Sequence, residues 1–324
     1  MIEFDAARVP IEGGFWQPRL EINACQALPH QWEQLEKSGS IDNFRMIAGG
    51  KPAFREGWFF ADSDAYKWLD AAARVYALDP SEDLAERMDA FIELLGAAQD
   101  PDGYLYTYNQ IHFPDVRWTN LQIEHELYCH GHLIEAAASH FQATGQRSLL
   151  AIAEKAADLL VREFSKAGPE RTPGHQEIEI ALIRLYRVTG NAGYLSLAEQ
   201  FIEQRGRARL FAPLIFRENR DVGRRTKVVN ARRAQYLAEH PEHEAFQLPA
   251  GNINKKPPGI QLRYFLSALT GKYFQQHRPV REQTIPVGHS VRFAYLETAI
   301  AMLCRERDDD TLLPALEQTW ERMV

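Results

Sequence analysis

From residue 64 onward the chain keeps one rhythm: apolar side chains return at steps of three and four residues. In DAYKWLDAAARVYAL (residues 64–78) the recurring positions are Tyr66, Leu69, Ala73 and Tyr76, the period of a helix with one buried face. An earlier helix is expected over residues 19–37, ended by Ser38-Gly39. Pro80-Ser81-Glu82-Asp83 opens another over 84–98, with acids in its first turn. Residues 120–144 predict a long helix stopped by Gly145, and further helices are expected near 148–164, 176–188, 193–204, 288–305 and 311–323. Alternating β-branched runs are scarce, so the chain reads as all-α.

A weak repeat narrows the architecture. ATGQRSLLAIAEKAA from Ala143 resembles VTGNAGYLSLAEQFI from Val188, a spacing of about 45 residues that fits one helical hairpin per repeat. Looser echoes begin at Ala77 and Arg307. The hairpins are irregularly spaced, and the loops between them are long, aromatic and glycine-bearing. That favours a closed toroid of helical hairpins, an (α/α)6 barrel, over an open solenoid. About ten helices can be counted against the twelve such a ring needs, so the barrel is expected to be incomplete at the C-terminus. The whole of 1–324 is expected to form this one domain. It is interrupted at about 207–278 by an irregular, arginine-rich excursion that includes Arg217, Arg224, Arg225, Arg232 and Arg233 and the turn-rich stretch Pro249 to Gly259.

Composition excludes several classes. The formal charge of −7 and the lack of aromatics at stacking spacing in the basic stretch argue against nucleic acid as a partner. No apolar run reaches the roughly 18 residues that span a bilayer. The N-terminus, Met-Ile-Glu-Phe-Asp, lacks the features of a signal peptide. Cys25, Cys129 and Cys304 are too few for a disulfide framework or a four-cysteine zinc module. The expectation is a cytoplasmic protein with no membrane partner, open to homo-oligomer formation.

Chemistry concentrates around histidines. Three of the 11 follow glycine directly, in Gly131-His132, Gly174-His175 and Gly288-His289, and the last two share a Pro-containing context that opens a helix. In an α/α barrel, a side chain at the start of an inner helix faces the funnel. The densest run is Glu124 to His132, EHELYCHGH. On a helix, His125, Cys129 and His132 share one face. That face suits a polar contact with a hydroxylated ligand, structural hydrogen bonding, or a soft divalent metal. His125 and His130 point about 140° apart on a helical wheel, so the two-histidine metalloprotease motif does not apply.

Aromatic loops point to a sugar: Tyr104, Tyr106 and Tyr108 follow a Gly-bearing turn, and Trp58, Phe59, Phe60, Tyr66 and Trp68 surround Asp62 and Asp64. Sugar C–H faces stack on flat rings while charged groups hold the hydroxyls. Trp68 and Tyr76 are expected in the core, with Asp64, Tyr104 and Trp118 as better site candidates. No Gly-x-Ser-x-Gly, Walker A or Gly-x-Gly-x-x-Gly element occurs. Glu126, Glu177, Glu179, Glu282 and Asp64 are carboxylates of the kind glycosidases use, but no pair among them is assignable.

Phe15-Trp-Gln-Pro-Arg-Leu20, Ile41-Asp-Asn-Phe-Arg45, Asp62 to Leu69, Gln99 to Leu105, Arg117-Trp-Thr-Asn120, His125 to His132, Pro173 to Glu179, Pro279 to Gln283 and Val287-Gly-His289 resemble glycoside hydrolase family 127. This is a bacterial β-L-arabinofuranosidase family. The likeness runs from about residue 11 to 206 and again from 278 to 324. It implies an (α/α)6 barrel and hydrolysis of a terminal L-arabinofuranose-like sugar with retention. It also implies sugar binding by His125, His175 and His289, and places Asp64, Tyr104 and Trp118 in funnel-lining motifs. His132, and Glu179 one turn after His175, complete the expected substrate-binding set.

Complete family members are expected to carry zinc, with a cysteine nucleophile held on that ion by further cysteines and a glutamate, and a separate glutamate as acid/base. Those motifs lie beyond the helix at 311–323, and the three cysteines here match none of them. The expectation is therefore a carbohydrate-binding glycosidase domain with no catalytic residue assigned and no metal or other cofactor within the chain. Two alternatives stand beside it: a non-catalytic sugar-binding or assembly protein, and an α/α-barrel sugar isomerase or epimerase using paired histidines as acid and base.

Overall fold

The computed structural model describes residues 11, 13–50, 53–241 and 258–324. Those residues form helices and connecting turns, with no strand among them. In chain order the α-helices are α1 (Gln17–Ile22), α2 (Leu28–Lys37), α3 (Ser40–Ile47), α4 (Asp62–Leu78), α5 (Glu82–Ala98), α6 (Thr107–His112) and α7 (Glu126–Thr144). They continue with α8 (Ser148–Phe164), α9 (Ile178–Thr189), α10 (Ala192–Gln204), α11 (Phe211–Glu239), α12 (Pro258–Leu269), α13 (Ser290–Arg307) and α14 (Leu313–Glu321). A π-helical turn, Asn23–Ala27, joins α1 to α2. Among the described residues no helix is long and apolar enough to cross a membrane.

The architecture is that of an α/α barrel. α4, α7, α9 and α13 lie side by side as an inner row, and α5, α8, α10 and α14 return outside them. α7 is buried along nearly its whole length from Glu126 to His140, whereas α8 shows the single apolar stripe of an outer helix. Both rows contribute to one continuous core.

Local chemistry sets the hairpins. Ser81 caps α5 by accepting from the Leu84 amide at 3.3 Å, with Glu82 and Asp83 in the first turn. The repeat read from Ala143 and Val188 is a repeated corner. α7 and α9 each end in Thr-Gly, with Gly145 and Gly190 left-handed at φ 72° and 74°. The threonine hydroxyls donate back to the His140 and Leu185 carbonyls at 2.7 Å. Each then accepts from the amide two residues on.

Two expectations are corrected. The helix expected over 120–144 begins at Glu126, because residues 120–125 form a turn held from outside. The Asn120 amide group donates to the Glu218 carbonyl at 3.0 Å, and the Gln122 amide to the Glu218 carboxylate at 2.8 Å. The arginine-rich excursion contains a 29-residue helix, α11. It packs over the loops that open the inner helices and is held mainly by charge. Arg225 pairs with Glu124 at 2.6 Å and Asp221 at 3.1 Å, Arg233 with Glu56 at 3.1 Å, and Arg232 donates to the His112 carbonyl at 2.7 Å. The turn-rich stretch from Pro249 falls, up to residue 257, outside the described residues.

Candidate active site

His125, His175 and His289 each sit at or just before the start of an inner helix: α7, α9 and α13 in turn. Their rings meet in a row, with centroids 5.1 Å apart for His125–His175 and 5.8 Å for His175–His289. Tyr128 closes one side, 5.1 Å from His125 and 4.4 Å from His175. Tyr295 stands 5.9 Å from His175, and Tyr273 5.5 Å from His289.

Glycine makes these positions reachable. A Cβ on Gly174 would stand 2.1 Å from the Gln122 carbonyl oxygen. Gly288, left-handed at φ +81°, approaches the Lys272 carbonyl so closely that a Cβ would meet it at 2.2 Å. The His175 loop is also held by Arg205, fully buried, which donates to the Pro173 carbonyl at 2.9 Å and pairs with buried Glu179 at 2.9 Å.

His125 and His175 are neutral bases. His125 Nδ1 lies 3.0 Å from the Ile123 carbonyl and His175 Nδ1 2.8 Å from the Gln176 carbonyl. That assigns the proton to Nδ1 and leaves Nε2 as the acceptor. Burial, then the nearby Arg292 cation, pushes the His125 pKa down to about 3 and holds His175 well below the ordinary imidazole range. Arg292 itself is buried over the Tyr273 and Phe274 rings.

Phe59 and Phe60 pack on His125 at 5.1 and 5.3 Å and also line a cavity of about 1030 Å3. Asp64, Lys67, Trp58, Tyr108 and, from α11, Arg233 complete that wall. The Trp58 and Phe60 rings are parallel to within 2°, and Trp58 is exposed, a flat surface of the kind on which a pyranose or furanose face stacks.

Other expected site residues lie elsewhere. Tyr104 and Trp118 are buried around Glu126, which accepts from the Tyr104 hydroxyl at 2.5 Å, the Trp118 amide at 2.8 Å and the Asn109 side chain at 3.2 Å. That last web also holds Trp118 in a left-handed backbone conformation, φ 58°. Glu179 is consumed by Arg205, so its carboxylate positions the His175 loop. His132 turns from the three-histidine row toward Glu177, 3.6 Å away. Helical spacing placed His125, Cys129 and His132 on one face, but His125 precedes the helix. Trp68 is core, Tyr76 is half-buried against it, and Glu282 is exposed. Composition and spacing missed Tyr128, Tyr295 and Arg292; Tyr128 at i+3 from His125 and Arg292 at i+3 from His289 were the available signal, and Tyr295, at i+6 from His289, had none.

The cysteine-bound zinc that the resemblance implies does not fit these residues. Among the described residues, the group of His, Cys, Asp and Glu ligand atoms lying within 4.8 Å of one another is His132, Glu135 and Glu177, without a cysteine. Cys129 and Cys304 are buried, and burial raises both thiols above their usual range, so neither is an activated thiolate.

The chain matches the family model for the β-L-arabinofuranosidase GH127 catalytic domain over residues 8–324. It is 31% identical to the non-reducing end β-L-arabinofuranosidase of Bifidobacterium longum subsp. longum, over 98% of this chain and 46% of that protein. The crystal structure of a GH127 β-L-arabinofuranosidase from Geobacillus stearothermophilus T6 superposes with a TM-score of 0.76 at 37% identity, covering 98% of this chain and 45% of that one. A second GH127 β-arabinofuranosidase structure gives 0.73 at 27% identity, with 98% and 43% covered. The chain thus spans under half the length of these relatives. With a family model matched along nearly all of it and the same all-helical barrel in those structures, the chain belongs to glycoside hydrolase family 127, the β-L-arabinofuranosidase family.

Proposed function

We propose that this chain forms the sugar-gripping part of a glycoside hydrolase acting on a terminal L-arabinofuranose. The observation that carries the reading is the row of His125, His175 and His289, brought together from three consecutive inner helices. His125 and His175, neutral and with Nδ1 engaged, present Nε2 acceptors to sugar hydroxyls, while Tyr128, Tyr295 and Phe60 supply rings and phenol groups. Asp64, on the wall of the adjoining cavity, is the exposed carboxylate best placed for a further hydroxyl. The leaving group would occupy that cavity, against Trp58 and Phe60. Three free cysteines accord with a reducing, cytoplasmic setting.

The grouping of His125, His175 and His289 beside Tyr128 and Tyr295 supports recognition and orientation of the sugar as this chain's contribution. The isomerase alternative calls for a histidine protonated near pH 7, which burial of His175 and the nearby Arg292 cation disfavour. The test is isothermal titration of the 324-residue chain with L-arabinose, run beside a chromogenic β-L-arabinofuranoside assay. Saturable binding that is lost in His175→Ala and His289→Ala is expected. Absence of binding, or binding indifferent to both substitutions, would overturn the proposal. Turnover in the assay would add catalysis to the binding role, and interconversion of free sugars seen by NMR would restore the isomerase.

A further inference from the structure

Behind the histidine row lies a second set of ionisable groups that sugar recognition leaves without a role. His132 and Glu135 stand at i and i+3 on α7 and face the same side. Glu177, just ahead of α9, reaches back to them, its Oε1 3.6 Å from His132 Nδ1. Its carboxylate fills the space of a missing side chain: a Cβ on Gly131 would lie 1.5 Å from Oε2. Glu177 is fully buried, yet neither of its oxygens, nor His132 Nε2, has a hydrogen-bond partner among the described residues. One ligand atom from each of the three side chains falls within 4.8 Å of the others.

A buried carboxylate without a donor is either neutralised or bound to a cation. A proton shared between Glu177 and Glu135 answers one contact and leaves the imidazole unused. A divalent ion answers all three. Glu135 is already oriented as ligating carboxylates are, by an outer donor: Arg184 donates to its Oε1 at 2.8 Å and, through its other amino group, to Ser139 at 2.8 Å. Lys67, a cation whose charge acts on Glu177, is engaged by Ser63 at 3.2 Å and Asp64 at 3.6 Å.

We propose that His132, Glu135 and Glu177 bind one divalent transition-metal ion, of the zinc class. One imidazole and two carboxylates, with water completing the shell, are ligands that zinc accepts. The ion ties α7 to the start of α9. It also backs Tyr128, whose ring lies 4.4 Å from both His132 and His175, so it steadies a wall of the sugar site without touching sugar. This centre is separate from any cysteine-held zinc, since none of the three cysteines takes part.

The experiment uses the 324-residue chain, stripped with a chelator, dialysed against Zn2+ and assayed by plasma mass spectrometry. One zinc per chain and a zinc-dependent rise in melting temperature are expected. His132→Ala and Glu177→Gln should each weaken binding at least tenfold, while Cys25→Ser leaves it unchanged. Co2+ in place of zinc should give the intense visible bands of a four- or five-coordinate site. No retained zinc, equal retention in both variants (an adventitious surface ion only), or the weak spectrum of octahedral cobalt would each overturn the proposal. If a variant fails to fold, the wild-type stoichiometry and cobalt spectrum decide the matter.

Discussion

At Gly174 the Cβ of any other residue would collide with backbone, at 2.1 Å from the Gln122 carbonyl oxygen, and backbone cannot step aside as a flexible side chain can. Gly174→Ala is therefore expected to cost about 1–3 kcal/mol, the usual range for overpacking, and to push His175 out of the row. Urea unfolding and L-arabinose titration would measure the two effects; an unchanged midpoint and affinity would disprove the close-approach account. The same logic explains why glycine precedes His132, His175 and His289: each glycine gives room to a neighbouring group. The pairing was visible in the sequence, but the partner that each glycine meets was not, since Gln122, Glu177 and Lys272 are distant in the chain. Charge state is a second residue-scale property. His125 holds a pKa of about 3 in the folded chain against an ordinary 6.5, so below pH 6.5 the unfolded chain takes up the proton first. Its contribution to stability is thus present above that pH and lost as pH falls toward 3. Arabinose affinity, governed by the neutral imidazole, should stay level between pH 5 and 8. A titration step near 6.5 in calorimetric affinities would contradict this.

The helix α11 poses a different problem of legibility. Its apolar anchors are few (Phe211, Leu214 and Ile215), so a search for apolar periodicity reads the stretch as irregular. What recurs instead is charge: Glu218, Asp221, Arg225, Arg232 and Arg233 all find partners across the funnel-end loops or along the helix. Long-range ion pairs leave no local signature, whereas the α7 and α9 corners, built from adjacent Thr and Gly, were readable directly. Arg225 and Glu124 are both nearly inaccessible. Arg225→Ala would strand the carboxylate and is expected to destabilise the chain by about 3–5 kcal/mol, seen as an earlier guanidinium midpoint; a shift below 1 kcal/mol would show that α11 docks by other means. Glu218 offers the pH counterpart. Burial raises its pKa from 4.5 to about 7, so its contribution is full below pH 4.5 and declines as pH rises through 7. Glu218→Gln should flatten the loss of stability between pH 5 and 8, and an unaltered slope would remove Glu218 as its source.

For the molecule as a whole, the inner row is what converts separate helix starts into one site. The sequence carried the helices, the hairpin repeat and the family likeness. It could not say which histidines meet, because that depends on α4, α7, α9 and α13 lying side by side. His125, His175 and His289 were joined through the resemblance, while the contacts of Tyr104 and Trp118 with Glu126, and the pairing of Glu179 with Arg205, depend on the fold. A ligand held by three histidines from α7, α9 and α13 binds only when those helices are mutually in place. Binding is then coupled to folding of the entire inner row. Linkage sets the size of the effect: about 2.7 kcal/mol of added stability at a ligand concentration 100 times Kd. L-arabinose at that excess should raise the melting temperature of the wild-type chain in a single cooperative step. His175→Ala, which removes the middle of the row, should abolish the shift while leaving the helical circular dichroism signal intact. A rise in the melting temperature of His175→Ala equal to that of the wild type would place the sugar elsewhere, and a two-step transition would mean that the inner helices do not fold as one.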